Sequence, residues 1–327
     1  MFVLACIGGL ASVWAFYAVC SLMFAMTKSS DIKTALTPKL PKDAFAGHVV
    51  WITGGSSGIG KEIALLLAER GARLILSSRG RKDLDAVAQE CRARNPSVHV
   101  KVLPLDLNEQ QSLATKAEEA SKFFGPIDVL INNGGISTRA MAANCSVETD
   151  EFLTQVDYLS HVALTKTLTP AMEQIKEARI INTLSVCSKV GVPSRTAYCG
   201  AKFALKGWMD AFRIECILRG CSHIHILNVC LGSTNTSLPS RAVTNVKSKV
   251  VENFTDVDEN ILQGLDPAFV AERMLSVSYH KSVDECWLAK RKELILLYAN
   301  QYVPQTAFKI LSKSVAKKYA IEKSKDD

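Results

Sequence analysis

Tyr198 and Lys202 stand four residues apart in the run Ser194-Arg195-Thr196-Ala197-Tyr198-Cys199-Gly200-Ala201-Lys202, with Ser185 upstream. On a helix, positions i and i+4 share a face, so a phenol and an ammonium spaced this way come within reach of each other. A neighbouring cation favours phenolate, which predicts a Tyr198 pKa below the usual value of about 10. Such a side chain exchanges a proton with an alcohol or a carbonyl near neutral pH. Alone, a Tyr-x-x-x-Lys pair arises easily by chance in a chain of this length. It gains meaning if the surrounding elements build a dinucleotide site.

The run Thr53-Gly54-Gly55-Ser56-Ser57-Gly58-Ile59-Gly60 falls between a strand-like stretch, His48 to Thr53, and a helix predicted from about Ile59 to Arg70. Glycines there let the backbone approach a pyrophosphate, and the helix N-terminus offers free N–H groups. The spacing is G-x-x-x-G-x-G, unlike the G-x-G-x-x-G of most dinucleotide-binding turns. A second strand, Arg73 to Ser77, leads into Ser78-Arg79-Gly80-Arg81, where an NAD site would carry an acidic residue. A guanidinium at Arg79 would bind a 2′-phosphate through charge-assisted hydrogen bonds, which favours NADP(H). Arg81 reads as a solvated charge.

Strand-like and helix-like segments then alternate. Helices are predicted at Lys82 to Arg94, Glu109 to Phe124, Phe152 to Met172, Ala197 to Arg219 and Pro267 to Ser278. Strands are predicted at Val98 to Leu103, Asp128 to Asn132, Arg179 to Thr183, His223 to Cys230 and Glu293 to Tyr298. That alternation implies one α/β domain, a doubly wound parallel sheet of about seven strands with helices on both faces. The polar stretch Gly232 to Gly264 breaks the pattern and is expected as a functional loop, such as a lid. Residues 27–47, with Pro38 and Pro41, read as a linker, and 48–300 as the catalytic domain.

The composition fits a large core: 48% of the 327 residues are hydrophobic and 22% charged. The net charge of +7 is modest, and no nucleic-acid-binding module is recognisable. Ten scattered cysteines show no C-x-x-C pair and no metal-ligand spacing, so no metal is expected. Phe2 to Met26 contains no charged residue. As a helix it would reach about 37 Å, long enough to cross a hydrocarbon core. An uncleaved membrane anchor over residues 1–26 is favoured over a signal peptide, because no basic residue precedes the run and no clean cleavage site follows.

Lys28, Lys33, Lys39 and Lys42 follow that run and place the body on the cytosolic side. The sequons at Asn144, Asn235 and Asn253 would be usable only if the body were lumenal or secreted. In the tail, 301–327, Phe308, Leu311, Val315 and Tyr319 recur at helical spacing among lysines. Two readings stand for it: a helix packed on the body, or a basic amphipathic helix resting on anionic lipid.

Taken together, Thr53 to Gly60, Asp106-Leu107, Asn132-Asn133-Gly134-Gly135, Ser185 and Tyr198-x-x-x-Lys202 resemble the short-chain dehydrogenase/reductase family, in order and spacing over about His48 to Tyr298. Val49-Val50-Trp51, Leu103 to Leu107, Asn-Asn-Gly-Gly and the tail Gln301-Tyr302-Val303-Pro304 resemble the family's member 7 subgroup. The resemblance implies a Rossmann-type fold with Tyr198 as acid/base, Lys202 lowering its pKa and holding the nicotinamide ribose, and Ser185 orienting the substrate oxygen. It further implies cofactor contacts at Thr53, Gly54, Ser56, Ser57, Gly58, Ile59, Gly60, Ser78, Arg79, Asp106, Leu107, Asn133, Gly134 and Thr234. Asn132 would support the end of the cofactor-binding strand.

Three positions depart from the family pattern. Asp157 stands where the family has the Asn that completes a catalytic tetrad, so its charge is expected to alter the coupling to Lys202. Leu231-Gly232 replaces Pro-Gly, which predicts a less rigid loop, and Gly135 replaces a common Ala. The expected activity is NADP(H)-dependent hydride transfer on a carbonyl or secondary alcohol of a steroid-, retinoid- or lipid-like substrate. The resemblance and the anchor imply a membrane location, at the endoplasmic reticulum, and a homodimer. The alternative is a nucleotide-binding membrane scaffold or redox sensor without turnover.

Overall fold

The computed structural model describes residues 27–244 and 263–313, with scattered positions between 12 and 24 and residue 316. Seven parallel strands form one sheet in the order β3-β2-β1-β4-β5-β6-β7. They are β1 (Val49–Thr53), β2 (Arg73–Ser77), β3 (Val100–Val102), β4 (Val129–Asn132), β5 (Ala178–Ser185), β6 (Ile224–Leu231) and β7 (Glu285–Leu288). The helices are α1 (Ile32–Leu36), α2 (Gly58–Glu69), α3 (Arg81–Arg94), α4 (Gln110–Phe124), α5 (Val147–Thr154), α6 (Ser160–Met172), α7 (Thr196–Leu218), α8 (Pro267–His280) and α9 (Arg291–Tyr302).

The strands are apolar throughout because both faces of the sheet are covered. Alternate residues feed two cores: Val50, Ile52, Leu74 and Leu76 pack with α2, α3 and α8, and Val49, Trp51, Ile75 and Leu130 with α4, α6 and α7. The strand order reverses between β1 and β4, which opens a crevice at their carboxyl ends.

Three expectations change. The expected strand Glu293 to Tyr298 lies within α9, where Leu294 and Leu297 are buried at helical spacing and Glu293 accepts the Lys290 N–H at 3.1 Å. The last strand is instead the short run Glu285–Leu288. The long helix expected from Phe152 begins at Val147 and contains a π turn, Gln155–Leu159, joining α5 to α6. Residues 27–47, expected as a linker, pack on the domain. Ser30 bridges Leu288, the Asp31 carboxylate accepts the Trp287 N–H at 2.7 Å, and Leu40, Ala44 and Phe45 are buried.

Among the described residues no helix is long and apolar enough to cross a membrane. The run Phe2 to Met26 lies mostly outside them; its described positions between 12 and 24 are helical, with Val13, Phe16, Tyr17 and Met23 exposed. Of the expected lid, residues 232–244 and 263–264 are described, including a short 3-10 turn at Pro239–Arg241. Asn144 and Asn235 are exposed, and Asn253 lies outside the described residues.

Candidate active site

The β1–α2 turn forms one wall of a cleft lined by Thr53, Gly54, Ser56, Ser57, Gly58 and Ile59. Gly54 (φ +67°) and Gly58 (φ +53°) adopt backbone conformations that L side chains rarely take. Gly60 does not line the cleft. A Cβ there would fall 2.2 Å from the Gly54 carbonyl oxygen, so this glycine lets α2 close against the turn. Ser57 caps α2 in an extended conformation without a side-chain cap bond, leaving the first-turn N–H groups directed at the cleft.

Opposite, β4 runs into Asn133, Gly134 and Gly135. The Thr53 hydroxyl donates to Ile131 O and accepts the N–H groups of Asn133 and Gly134, both at 3.0 Å. The Asn133 amide returns to Thr53 O at 3.1 Å and Gly54 O at 3.3 Å. These bonds lock the two strand ends together. Ser78, Arg79, Asp106 and Leu107 complete the lining. The Ser78 hydroxyl is buried without a hydrogen-bond partner, and Arg79 is exposed beside it. Arg81 lies outside, exposed and 3.8 Å from Asp85.

A second hollow shares Ile59, Asn133, Gly135, Ile136 and Thr183 with the first and holds Ser185, Tyr198, Lys202 and Thr234. Ser185 ends β5, while Tyr198 and Lys202 lie on the first turns of α7, so the expected pair does share one helix face. The Ser185 hydroxyl accepts the Cys187 N–H at 3.2 Å and lies by the Tyr198 phenol, whose ionised form it favours. Lys202 Nζ donates to Thr183 O at 3.3 Å and stands 5.7 Å from the centre of the Tyr198 ring.

The expected lowering of the Tyr198 pKa is not what this environment produces. Burial raises it above the ordinary phenol range, negative character at Cys187 and Asp157 adds to the rise, and the Ser185 hydrogen bond and Arg195 oppose it. Lys202 is turned toward another partner: its ammonium lies 3.7 Å from the fully buried Asp157 carboxylate.

The glycine turn, the β4 end and the Ser-Tyr-Lys cluster thus meet at the switch point of a parallel sheet. A family model for short chain dehydrogenases matches residues 48–247. The chain belongs to the short-chain dehydrogenase/reductase family. It is 31% identical to human dehydrogenase/reductase SDR family member 7, over 84% of this chain and 79% of that protein. It is 33% identical to the Drosophila melanogaster family protein 7-like, over 86% and 85%. A short-chain dehydrogenase/reductase from Burkholderia phymatum, solved in complex with NAD, superposes with a TM-score of 0.68 at 19% identity, covering 80% of this chain and 96% of that one. A Shigella flexneri homologue complexed with NADP gives a TM-score of 0.63 at 21% identity, over 73% and 93%. At such identities the structural likeness establishes the fold.

In this short-chain dehydrogenase/reductase two of the departures touch. Asp157 sits in the π turn, and its Oδ1 accepts the Ile136 N–H at 2.8 Å, while Oδ2 has no hydrogen-bond partner. A Cβ on residue 135 would fall 2.9 Å from that Oδ1, so Asp157 and Gly135 fit as a pair. Burial pushes the Asp157 carboxyl up to about 6, against the pull of Lys202 and the Ile136 N–H.

One turn further on, His161 Nε2 lies 2.9 Å from the Gly134 carbonyl oxygen. Burial, aided by Lys202, takes its pKa down to about 3 and keeps it neutral, so the ring donates to that carbonyl. The third departure, Leu231-Gly232, precedes a loop that is tied down. Ser233 N and Oγ both reach Glu293 Oε1 at 2.8 Å.

Sequence reasoning missed Arg139, Arg195 and Glu293 in the second hollow, and Thr236, Leu238 and Arg241 over the first. Arg195 stands in the run that carries Tyr198 and Lys202 but was given no role; the others arrive from loops or from α9 through tertiary packing. His161 carried a faint signal, as the residue four after Asp157 on the same helix.

Proposed function

We propose that this chain is an NADP(H)-dependent carbonyl reductase of apolar, lipid-like substrates, held at a membrane. The observation that carries the reading is the convergence of Ser185, Tyr198 and Lys202 in a hollow that adjoins the glycine-turn cleft. The residues fit a dinucleotide: two glycines in left-handed conformation, an open helix N-terminus, and the unpartnered Ser78 hydroxyl next to Arg79. Arg79, in place of the acidic residue of an NAD site, supports NADP(H).

A bound nicotinamide cofactor would supply the hydride. Tyr198 keeps its proton at neutral pH, so it serves as the acid, donating to the substrate oxygen as charge builds there. The Ser185 hydroxyl donates a second hydrogen bond to that oxygen. Ile136, Leu184, Val186, Leu231 and Leu238 give the hollow apolar walls. The membrane reading rests on the uncharged run Phe2 to Met26.

The test uses NADPH fluorescence and a panel of carbonyl substrates with the purified protein. Tyr198→Phe is expected to keep NADPH binding and to lose at least ~100-fold in turnover. Binding with no Tyr198-dependent turnover across the panel would overturn the enzyme in favour of a nucleotide-binding scaffold. Glycosylation at Asn144 or Asn235, read as an endoglycosidase-sensitive size shift, would place the body in the lumen rather than the cytosol.

A further inference from the structure

Beyond α9 the chain is helical again over 304–313, and the domain covers little of it. Ala307 is buried and Leu311 half-buried, so one edge of this helix rests on the protein. Phe308 is 72% exposed and Ile310 60% exposed. At the end of α9, Tyr302 (76%) and Val303 are exposed as well. An aromatic ring, a phenol and two β-branched side chains left in solvent over nine residues are more than scattered surface apolarity. From 290 to 313 the chain carries five cations, Lys290, Arg291, Lys292, Lys309 and Lys313, and one carboxylate. That carboxylate, Glu293, is engaged by Ser233 and Lys290.

The position of this surface identifies its partner. Ser30 pairs with Leu288, Ala289 N donates to Ser29 O, and Trp287 meets Tyr298 of α9 ring to ring at 5.0 Å. The uncharged run Phe2 to Met26 therefore joins the domain beside α9. The same helix borders the reactive hollow through Glu293, whose Oε1 accepts the Ser233 N–H on the loop after β6 at 2.8 Å.

We propose that the end of α9 and the helix at 304–313 form an interfacial docking surface for an anionic bilayer, on the side of the domain where the chain enters after Met26, and hold the hollow close to the lipid. Phe308 and Ile310 flank the edge that rests on the protein, and Lys309 and Lys313 face outward between them, so the lysines meet anionic lipid while a flanking apolar side chain reaches the headgroup boundary. The inference rests on the membrane reading of Phe2 to Met26 and adds a second point of contact to it. A second copy of the chain is the competing occupant.

The test uses the full chain with phosphatidylcholine vesicles, with and without phosphatidylserine. Flotation reads association, and hydrogen–deuterium exchange reads residues 302–313. Exchange there is expected to slow at least ~10-fold in the anionic vesicles, with the effect reversed by salt. F308E/I310E and K309E/K313E are expected to lose that protection while NADPH binding and Tyr198-dependent turnover in detergent stay unchanged. Flotation without protection of 302–313 overturns the docking surface and leaves the anchor standing. Failure of the chain to float overturns both, and protection that follows protein concentration rather than lipid assigns the surface to a second copy.

Discussion

At the scale of single residues, the distinguishing feature is a carboxyl buried behind Lys202. Asp157 has a folded pKa of about 6 against an ordinary value of 3.8, with desolvation as the main cause. Between those two values the folded state binds more protons than the unfolded one, so this group makes stability fall as pH rises. The penalty is absent below pH 4, complete above pH 6, and amounts to about 3 kcal/mol. Asp157→Asn carries no such charge. It is expected to be more stable than the parent above pH 6, with the two melting curves converging toward pH 4 in a thermal series. A parent that gains stability from pH 4 to pH 7 relative to the variant would contradict this assignment.

Arg79 bears on cofactor choice. Arg79→Glu is expected to weaken NADPH binding roughly 10- to 100-fold by titration, with little effect on NADH. Ser185, Tyr198 and Lys202 were legible in the sequence as one group because their types and spacing follow a family pattern. The state of Tyr198 was not. Its pKa depends on burial and on the charges that tertiary packing sets around it, Asp157 and Arg195 among them.

At the scale of elements, a buried amide ladder ties the site to the sheet. Asn132, Asn182 and Asn228 occupy paired positions on β4, β5 and β6. Asn132 Nδ2 donates to Asn182 Oδ1 at 2.9 Å, Asn182 Nδ2 to Asn228 Oδ1 at 3.0 Å, and Asn228 Nδ2 to Asp210 on α7 at 2.9 Å. The ladder links the β4 end to the helix carrying Tyr198 and Lys202. Asn182→Ala strands the Asn228 carbonyl in the interior and is expected to destabilise by about 1–3 kcal/mol in urea unfolding.

Strands with near-continuous apolar runs were legible because both of their faces are covered. The error at Glu293 to Tyr298 has the same origin. A short apolar run has no decisive period, and only the helix cap at Lys290 and Glu293 and the burial of Leu294 and Leu297 decide it. The π turn had no sequence signal at all. It is a local response that brings Asp157 to Lys202.

At the scale of the whole molecule, the stretch before β1 belongs to the fold. Phe45 is buried against Tyr279, with ring centres 5.7 Å apart, and Arg179 lies 5.4 Å from its ring. Arg273 donates to the carbonyls of Thr34 and Thr37, and Leu40 N donates to Glu272 at 3.1 Å. Phe45→Ala is expected to destabilise the entire domain by about 3–5 kcal/mol, as one cooperative transition in calorimetry. A free linker at 27–47 would leave the transition unmoved.

By itself the sequence determined the α/β class, the site's chemical groups and the family, because periodicity and motif spacing are local properties of the chain. Tertiary structure alone decided that residues 27–47 are packed, that Asp157 and Gly135 accommodate each other, and that burial raises the Tyr198 pKa instead of lowering it. Each of these depends on desolvation and on partners far away in sequence, and such contacts leave no local pattern to read.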